Sequence, residues 1–298
     1  MKLLITGATG QLGRAIRNTG EKPGRHIISL TRSDLDLTDP DSIKNALTNH
    51  PDADIVVNTA AYTAVDNAES EPEPAYAVNR DGAKHLAEAC RGLNIPLIHI
   101  STDYVFDGTH SSPYVETDPV SPIGVYGRSK AAGEEEIRKV LPSHMIIRTS
   151  WLYGIHGNNF VRTMIRLGRE REEIKVVDDQ VGCPTSAADL ANAVLKISER
   201  VTASRHEVAW GTYHYSNAGQ TTWYGFAEKI FQLCRNRPGC GLKLKKLTPI
   251  PTTEYPTPAK RPPYSVLDCR KIMETFDITI PPWDESLARM LNRLFNTP

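Results

Sequence analysis

The stretch KLLITGATGQLGRAI, residues 2–16, joins a short apolar run to a glycine-rich turn and then to residues that favour a helix. Gly7, Gly10 and Gly13 give the spacing GxxGxxG directly after the apolar run. In a nucleotide-binding turn, one glycine permits the tight bend, one lets the backbone approach a pyrophosphate, and one lets helix and strand pack closely. The helix N-terminus then faces the phosphates. The stretch therefore predicts a dinucleotide-binding fold, and a purely structural turn is the alternative.

Short apolar runs alternate with helix-favouring segments through the first half of the chain. The predicted strands are residues 3–5, 26–30, 55–57, 97–100 and 145–147. The predicted helices are residues 11–19, 42–48, 75–93 and 127–141. Short apolar strands separated by helices imply a parallel sheet that is covered on both faces. We therefore expect an α/β protein built on a Rossmann-type, doubly wound parallel sheet.

The pattern changes after about residue 149, where loops lengthen and prolines concentrate in residues 249–263. Helices are predicted at 187–199, returning to the main sheet, and at 223–234, after a possible N-cap threonine. We expect residues 1–149, with about 187–212, to form the dinucleotide-binding domain. Residues 150–186 and 213–298 are expected to form a smaller, interleaved C-terminal substrate lobe.

Composition narrows the class of partner and the compartment. Lys plus Arg and Asp plus Glu each number 35 in 298 residues, so no net charge attracts nucleic acid or an anionic membrane. The N-terminal apolar run is too short for a signal peptide, and no apolar stretch is long enough to span a bilayer. Five cysteines are scattered without a CxxC pair, which argues against zinc and disulfide frameworks. We expect a cytoplasmic protein; whether it is a monomer or a homodimer stays open.

The segment VYGRSK, residues 125–130, holds Tyr126 and Lys130 four residues apart. On a helix they lie one turn apart on one face, where an ammonium lowers the pKa of a phenol and makes it a usable acid. Thr102 and Asp103, in STDYVFDG, follow a predicted strand, and ligands of parallel sheets bind beyond such strand ends. The alternatives are two unrelated surface side chains and a turn capped by Thr and Asp.

Arg32 stands at the end of the second predicted strand. An arginine there accommodates the 2′-phosphate of NADPH, whereas an acidic residue binds the ribose 2′-OH of NADH. Arg32 therefore favours NADPH, and Asp34 and Asp36 leave NADH possible.

Taken together, these motifs resemble the extended short-chain dehydrogenase/reductases, and the resemblance covers nearly the whole chain. The matching stretches are GATGQLG (7–13), NTAAYTAVDNAE (58–69), STDYVFDG (101–108), SPIGVYGRSKAAGE (121–134), IIRTSWLYG (146–154), GNNF (157–160), DDQVGCPT (178–185) and PTPAKRP (256–262). The resemblance implies a nicotinamide-dependent reduction of the 4-keto group of dTDP-4-dehydro-L-rhamnose. The product would be dTDP-L-rhamnose, a donor for bacterial polysaccharide.

The resemblance also implies a role for each matched residue. Tyr126 is the general acid, Lys130 lowers its pKa and binds the nicotinamide ribose, and Thr102 polarises the ketone. The cofactor residues so implied are Gly10, Gln11 and Leu12 at the pyrophosphate, Asp36 and Leu37 beside the adenine, and Ala61, Tyr62 and Thr63 along the cleft. The substrate residues are Asp103 and Trp151 at the sugar, with Asn159, Gln180 and Arg261 at the nucleotide diphosphate. For these last three, an ordinary loop residue is the alternative.

Two other functions are compatible with the same fold. Nucleotide-sugar epimerases and dehydratases also hold a nicotinamide and a Tyr–Lys pair, but a related dehydratase has Asp-Glu after the threonine, and here Tyr104 follows Asp103. A non-catalytic binding subunit is the second alternative, against which Tyr126, Lys130 and Thr102 are all present. No ligand cluster has metal spacing, although a divalent ion such as Mg²⁺ between scattered carboxylates stays open.

Overall fold

The computed structural model describes residues 1–235 and 237–296, and its centre is a six-stranded sheet whose neighbouring strands all pair in parallel. Its strands are β1 (Lys2–Thr6), β2 (His26–Leu30), β3 (Ile55–Asn58), β4 (Leu97–Thr102), β5 (His144–Thr149) and β10 (Gly211–His214). The prediction of a Rossmann-type parallel sheet is confirmed, and each of the five predicted strands is present.

Helices cover both faces of this sheet. They are α1 (Gln11–Gly20), α2 (Pro40–Thr48), α3 (Val65–Ser70), α4 (Pro72–Tyr76), α5 (Ala83–Gly92), α6 (Val125–Val140), α8 (Ala187–Ala203) and α10 (Arg270–Phe276). The alternation of side chains along a strand explains the two layers. Leu3 and Ile5 point into the core with α1 and α8, whereas Leu4 points into the core with α2, α5 and α6.

The strand order across the sheet is β10-β5-β4-β3-β1-β2. Strand β2 lies on one side of β1, and β3, β4, β5 and β10 lie in turn on its other side. The order therefore reverses between β1 and β3, and ligands of open α/β sheets bind in the crevice at such a point, outside the carboxyl ends of the strands. The glycine-rich turn after β1 and the loop after β3 both lie there.

The remaining elements pack around a separate apolar core. They are β6 (Leu152–Tyr153), α7 (Phe160–Glu170), β7 (Glu173–Val177), β8 (Val181–Gly182), β9 (Thr185–Ser186), β11 (Thr221–Thr222), α9 (Trp223–Cys234), β12 (Lys246–Ile250) and α11 (Trp283–Asn296). The two-domain division remains an interpretation. The sheet takes in β10, which crosses the expected boundary at 212, and Phe276 of α10 packs on Tyr213 with ring centroids 5.2 Å apart.

The helix predicted over 75–93 is interrupted. Between α4 and α5 the chain forms a π-helical segment, Ala77–Gly82. Asn79 in this segment turns its amide to the backbone of Tyr62, accepting from its N–H at 2.9 Å and donating to its carbonyl at 3.1 Å. A π-helical turn of this kind is frequent at functional sites and depends on tertiary contacts that a helical periodicity does not reveal.

A buried ion pair joins α6 to the sheet. Arg148 of β5 donates from Nε and Nη2 to the two carboxylate oxygens of Glu134, at 2.9 and 2.7 Å, and the two side chains are 1% and 0% exposed. Ser101 of β4 donates to the same carboxylate at 2.6 Å, and Arg138 at 2.7 Å. Burial raises the pKa of Glu134, but Arg148, Ser101 and Arg138 together bring it below its ordinary value, so the carboxylate is charged. The pair fixes the rotation of α6 about its axis.

Within the described residues, no helix combines the length and the apolarity that crossing a membrane requires.

Replacing Glu134 by alanine leaves the guanidinium of Arg148 buried without its carboxylate. We expect the free energy of unfolding to fall by about 3–5 kcal/mol, the usual effect of breaking a buried pair. Glu135→Ala, on the next residue of the same helix, removes a carboxylate that is 64% exposed and paired with Lys139. This control should change stability by less than about 1 kcal/mol in urea titrations of the two variants. Equal losses in the two variants would show that the buried pair has no special role.

Candidate active site

The glycine-rich turn is closely packed at its three glycines. Gly7 has a φ of +67°, which favours glycine, and a Cβ there would lie 2.7 Å from the amide nitrogen of Ala60. A Cβ on Gly13 would lie 2.4 Å from the carbonyl oxygen of Gly7. Gly10 is the N-cap of α1 and has no side chain to accept the first amides of that helix. Those donors are therefore available to an anion, as a pyrophosphate requires.

The neighbouring side chains of the turn divide between the core and the crevice. Leu12 is 4% exposed and belongs to the core on the α1 side of the sheet. Gln11 is half-buried, and its Oε1 accepts from Nδ2 of Asn159 at 2.9 Å. Asn159 is also the N-cap of α7, where its Oδ1 accepts from the amide of Arg162. The structure places Asn159 against the glycine-rich turn, and its role at the nucleotide-diphosphate end of the substrate stays a prediction.

The loop after β3 carries the residues that were predicted to line the cofactor cleft. Ala61 and Tyr62 are half-buried and Thr63 is exposed. Thr59 donates its hydroxyl to the carbonyl of Thr6 at 2.7 Å, so this loop is attached to the end of β1. The two contacts from Asn79 hold the Tyr62 backbone. The loop and the glycine turn therefore lie side by side at the crevice.

At the end of β2, the side chain of Arg32 is 82% exposed and keeps one long contact, 3.4 Å from Nε to Oδ2 of Asp36. Hydrogen bonds from Thr31 lower the pKa of Asp34, and those from Thr38 lower the pKa of Asp36. Both carboxylates are thus engaged with neighbouring residues. The adjoining predicted adenine contact, Leu37, is buried in the core at 5% exposure.

Tyr126 and Thr102 meet at the carboxyl end of β4. Tyr126 lies in the first turn of α6, is half-buried, and packs edge-on against Tyr104 with ring centroids 5.6 Å apart. Burial raises the pKa of Tyr126 to about 12, a hydrogen bond with Thr102 lowers it, and the charge of Asp103 raises it. The phenol is therefore protonated in neutral solution.

The expected effect of Lys130 on Tyr126 is not what the structure shows. Lys130 is 1% exposed, and its Nζ donates to the carbonyl of Ile100 at 2.7 Å and lies 3.1 Å from Nε2 of His99. Its Nζ is thus directed at β4, and the pKa of Tyr126 is raised by burial rather than lowered. Spacing along a helix places two residues on one face, but the sheet beneath decides where the lysine points.

Asp103 is buried beside these groups, at 1% exposure, and its Oδ1 accepts from the hydroxyl of Thr102 at 3.0 Å. Burial raises the pKa of Asp103 to about 6, against the lowering effect of hydrogen bonds with Ser265 and Thr102. A carboxyl with this pKa exchanges its proton near neutral pH. The structure places it next to Thr102, and its place beside the sugar stays a prediction.

The predicted sugar residue Trp151 lies in a tight aromatic contact. Its φ is 44°, a value that bulky residues rarely adopt, and its ring stacks on that of Trp223 with centroids 3.5 Å apart and 8° between planes. Gly182 also lies against the indole, since a Cβ there would come within 2.5 Å of it. Gln180 accepts from the indole N–H of Trp223 at 3.2 Å and donates to Thr252 at 2.9 Å. Trp223 therefore lies among the candidate site residues, and the sequence analysis did not predict it.

A cavity of about 660 Å³ adjoins this aromatic stack. It is lined by α7, β7 and the segment 250–261, and includes Gln180, Trp223, Tyr255 and Arg261. The volume is in the range of pockets that enclose drug-sized ligands. Arg261 donates to Asp66 at 2.8 Å and to the carbonyl of Ala259 at 2.8 Å, so part of its fork is engaged within the protein. The structure thus brings Gln180 and Arg261 to one cavity.

Several polar residues near the site carried no signal in the single sequence. Asn58, Asn79 and His99 are each 1% exposed: Asn58 and His99 bond to each other across neighbouring strands, His99 also meets Lys130 of α6, and Asn79 bonds to Tyr62 in the loop after β3. Only the order of strands brings these partners together. Among residues 1–235 and 237–296, no group of three or more His, Cys, Asp or Glu side chains is arranged to hold a metal ion.

Comparison with known proteins finds relatives that match this chain over nearly its whole length. Residues 1–296 match the family described as the RmlD substrate binding domain. The dTDP-4-dehydrorhamnose reductase of Sinorhizobium fredii is 44% identical over 98% of this chain and 97% of that protein. A solved dTDP-4-dehydrorhamnose reductase from Clostridium acetobutylicum has a TM-score of 0.89 and 42% identity, and covers 99% of both chains. The Bacillus anthracis enzyme, solved in complex with NADP, has a TM-score of 0.89 and 39% identity over 97% of this chain and 98% of that one.

The close packing at Gly13 gives a test of the turn. Gly13→Ala places a methyl 2.4 Å from the Gly7 carbonyl, so the turn must shift, and we expect at least a tenfold loss of NADPH affinity by fluorescence titration. Gly92→Ala, on α5, meets nothing within 4 Å and should bind NADPH normally. It should also stabilise the helix by roughly 0.5–1 kcal/mol, since alanine is the better helix former. Unchanged NADPH binding by Gly13→Ala would rule out the turn as a phosphate cradle.

Proposed function

The chain belongs to the RmlD substrate binding domain family, together with the dTDP-4-dehydrorhamnose reductases that it matches over its whole length, and we propose that it uses NADPH to reduce dTDP-4-dehydro-L-rhamnose to dTDP-L-rhamnose. The observation that carries this function is the meeting of a protonated phenol, Tyr126, with the hydroxyl of Thr102 beyond the end of β4. A ketone oxygen at that place has a proton donor and a polarising hydroxyl beside it.

The residues at the crevice fit a nicotinamide dinucleotide phosphate. The turn at Gly7, Gly10 and Gly13 leaves the α1 amides available to a pyrophosphate, and Arg32 is exposed at the position where a 2′-phosphate is bound. When bound, this cofactor supplies the hydride. The binding of NADP by the Bacillus anthracis relative supports the same preference.

Tyr126 acts as the general acid in this proposal. A reductase needs the phenol protonated before it meets the substrate, and burial keeps it so by raising its pKa to about 12. Thr102 orients the carbonyl oxygen. Its hydrogen bond with Tyr126 lowers the pKa of the phenol, but by less than burial raises it. Lys130 is placed one helical turn away and binds the ribose in this proposal.

The lobe cavity is proposed to hold the nucleotide of the substrate. Gln180 and Trp223 lie at the end nearer Trp151, and Arg261 brings a positive charge for a diphosphate. The half-engaged fork of Arg261 must then turn from Asp66 to the ligand.

The two competing functions are less favoured. A related dehydratase has Asp-Glu after the threonine, whereas here Tyr104 follows Asp103, and the relatives from Sinorhizobium fredii and Clostridium acetobutylicum, matched over nearly the full chain, are reductases rather than dehydratases or epimerases. A non-catalytic subunit would not need Tyr126 and Lys130 of α6 packed against Thr102 and Ile100 of β4. We also propose a cytoplasmic location, because all five cysteines are free and four are buried, as in reducing compartments.

Tyr126→Phe removes the proton donor and keeps the ring. We expect turnover of dTDP-4-dehydro-L-rhamnose, followed by the absorbance of NADPH, to fall by roughly two to four orders of magnitude while NADPH affinity is kept. Tyr104→Phe, whose ring touches that of Tyr126, should keep turnover within about tenfold, a loss smaller than that of a general acid. A larger loss in Tyr104→Phe than in Tyr126→Phe would move the acid to Tyr104.

Arg32→Ala removes the proposed partner of the 2′-phosphate. We expect the KM for NADPH to rise by about tenfold or more, since charge-assisted hydrogen bonds contribute roughly 1.5–3 kcal/mol. The KM for NADH, which lacks this phosphate, should stay close to its wild-type value and serves as the internal control. If both KM values change together, Arg32 does not bind the 2′-phosphate.

A further inference from the structure

Lys130 ends a chain of buried hydrogen bonds that runs through three strands of the sheet. Its Nζ lies 3.1 Å from Nε2 of His99 on β4, and Nδ1 of the same ring lies 3.0 Å from Nδ2 of Asn58 on β3. Oδ1 of Asn58 accepts from the hydroxyl of Thr6 on β1 at 2.6 Å. Each of these four side chains is 1% exposed. Buried polar groups must satisfy one another, so their donors and acceptors can be assigned.

The amide of Asn58 has only one orientation that satisfies its neighbours. The backbone N–H of Ala60 donates to Oδ1 of Asn58 at 3.1 Å, and a backbone amide can only donate. The atom that faces His99 is therefore the NH₂ group, which is a donor. Nδ1 of His99 must accept this hydrogen bond and carries no proton. A neutral His99 then has its proton on Nε2, facing Lys130.

This tautomer determines which form of Lys130 fits. An ammonium has three donors and no lone pair, so it would set an N–H against the Nε2–H of His99. A neutral amine accepts from Nε2–H with its lone pair and still donates to the carbonyl of Ile100 at 2.7 Å. Burial lowers the pKa of Lys130 to about 8, while the charge of Glu134 raises it. Burial also lowers the pKa of His99, with Lys130 and His144 acting in the same direction.

Other charged and titratable groups lie near this series of hydrogen bonds. Glu134, one turn further along α6, favours the ammonium, but Arg148 of β5 and Ser101 of β4 hold its carboxylate. Tyr126 lies one turn before Lys130 and is neutral. His144 of β5 faces His99 and bonds to the carbonyl of Leu141. From β3 and β1 the hydrogen bonds of this series come from the uncharged side chains of Asn58 and Thr6.

We propose that His99 and Asn58 are positioning residues for Lys130: the amide of Asn58 fixes the imidazole tautomer, and the imidazole in turn stabilises the amine form of the lysine relative to its ammonium form. This deepens the proposed function and rests on it for the role of Lys130 beside Tyr126. The charge that Lys130 can offer to a phenolate is then set from the sheet beneath it, rather than by the Tyr–Lys spacing alone.

The first test needs neither substrate nor NADPH. In protein labelled with ¹⁵N-histidine, the His99 signal, assigned by its loss in His99→Gln, should show a protonated Nε2 and an unprotonated Nδ1 at neutral pH. An Nδ1–H tautomer, or an imidazolium, would overturn the proposal.

The second test follows the charge of Lys130 directly by the ¹³Cε shift of labelled lysine, with its signal assigned by loss in Lys130→Met. The wild-type midpoint should be near pH 8, following the pKa of about 8. In His99→Gln, the amide can turn its oxygen to Nζ and accept from an ammonium, so the midpoint should rise by roughly one pH unit, while the burial that remains keeps it below the value of an exposed lysine. His144→Gln, which removes another buried histidine bonded to a backbone carbonyl, should leave the midpoint in place. An unmoved midpoint in His99→Gln, or an equal shift in His144→Gln, contradicts the proposal.

Asn58→Asp inverts the donor pattern with little change of shape. A carboxylate accepts from Nδ1, so the proton should move to Nδ1 and free Nε2 to accept from an ammonium. The Lys130 midpoint should rise by roughly one to three pH units, and the alkaline limb of the kcat profile should move with it. A rise without the change of tautomer would mean that the new charge acts directly, and the proposal would be wrong. Absence of reductase activity alongside the expected spectra would count against the proposed function and not against this inference.

Discussion

The buried pair of Glu134 and Arg148 is the constraint on which the geometry of this protein depends. Removing two charges from water is expensive, and it is tolerated here because the guanidinium meets the carboxylate with two parallel hydrogen bonds and Ser101 adds a third. Because both hydrogen bonds must be made, the pair holds α6 at one rotation about its axis and one height above β4 and β5. The whole stripe of α6 that faces the sheet is fixed with it, and that stripe also carries Tyr126 and Lys130, at intervals of four residues.

Successive residues of β4 contact successive residues of this stripe. His99 and the carbonyl of Ile100 hold Lys130, Ser101 holds Glu134, and Thr102 reaches Tyr126. The contacts of this one strand therefore extend from a stabilising ion pair to a proton donor at the strand end. Because each contact is buried, each also sets the protonation of its partner: Glu134 is charged, Tyr126 is neutral, and Lys130 titrates near pH 8.

The two halves of the site are built by different means. The cofactor side is made of backbone, with closely packed glycines and helix amides that need few side chains. The lobe side is made of aromatic and polar side chains around a cavity of about 660 Å³, where Trp151 and Trp223 stack and Gln180 holds one of them. This difference explains why the cofactor side was the easier of the two to recognise in the sequence. Motif spacing reports backbone geometry directly, whereas a pocket is assembled from segments far apart in the chain.

The parallel sheet, the glycine turn that opens the crevice, and the candidate residues Tyr126, Lys130 and Thr102 could be predicted from the sequence, because periodicity and motif spacing are local properties. The sequence did not reveal where those side chains point or which protons they hold. The expected lowering of the Tyr126 pKa by Lys130 was wrong, since the sheet draws the lysine to His99 and Ile100. It also missed the partners that the sheet supplies. Burial and hydrogen bonding between strands arise only when the chain is folded, and they decided the chemistry of the site.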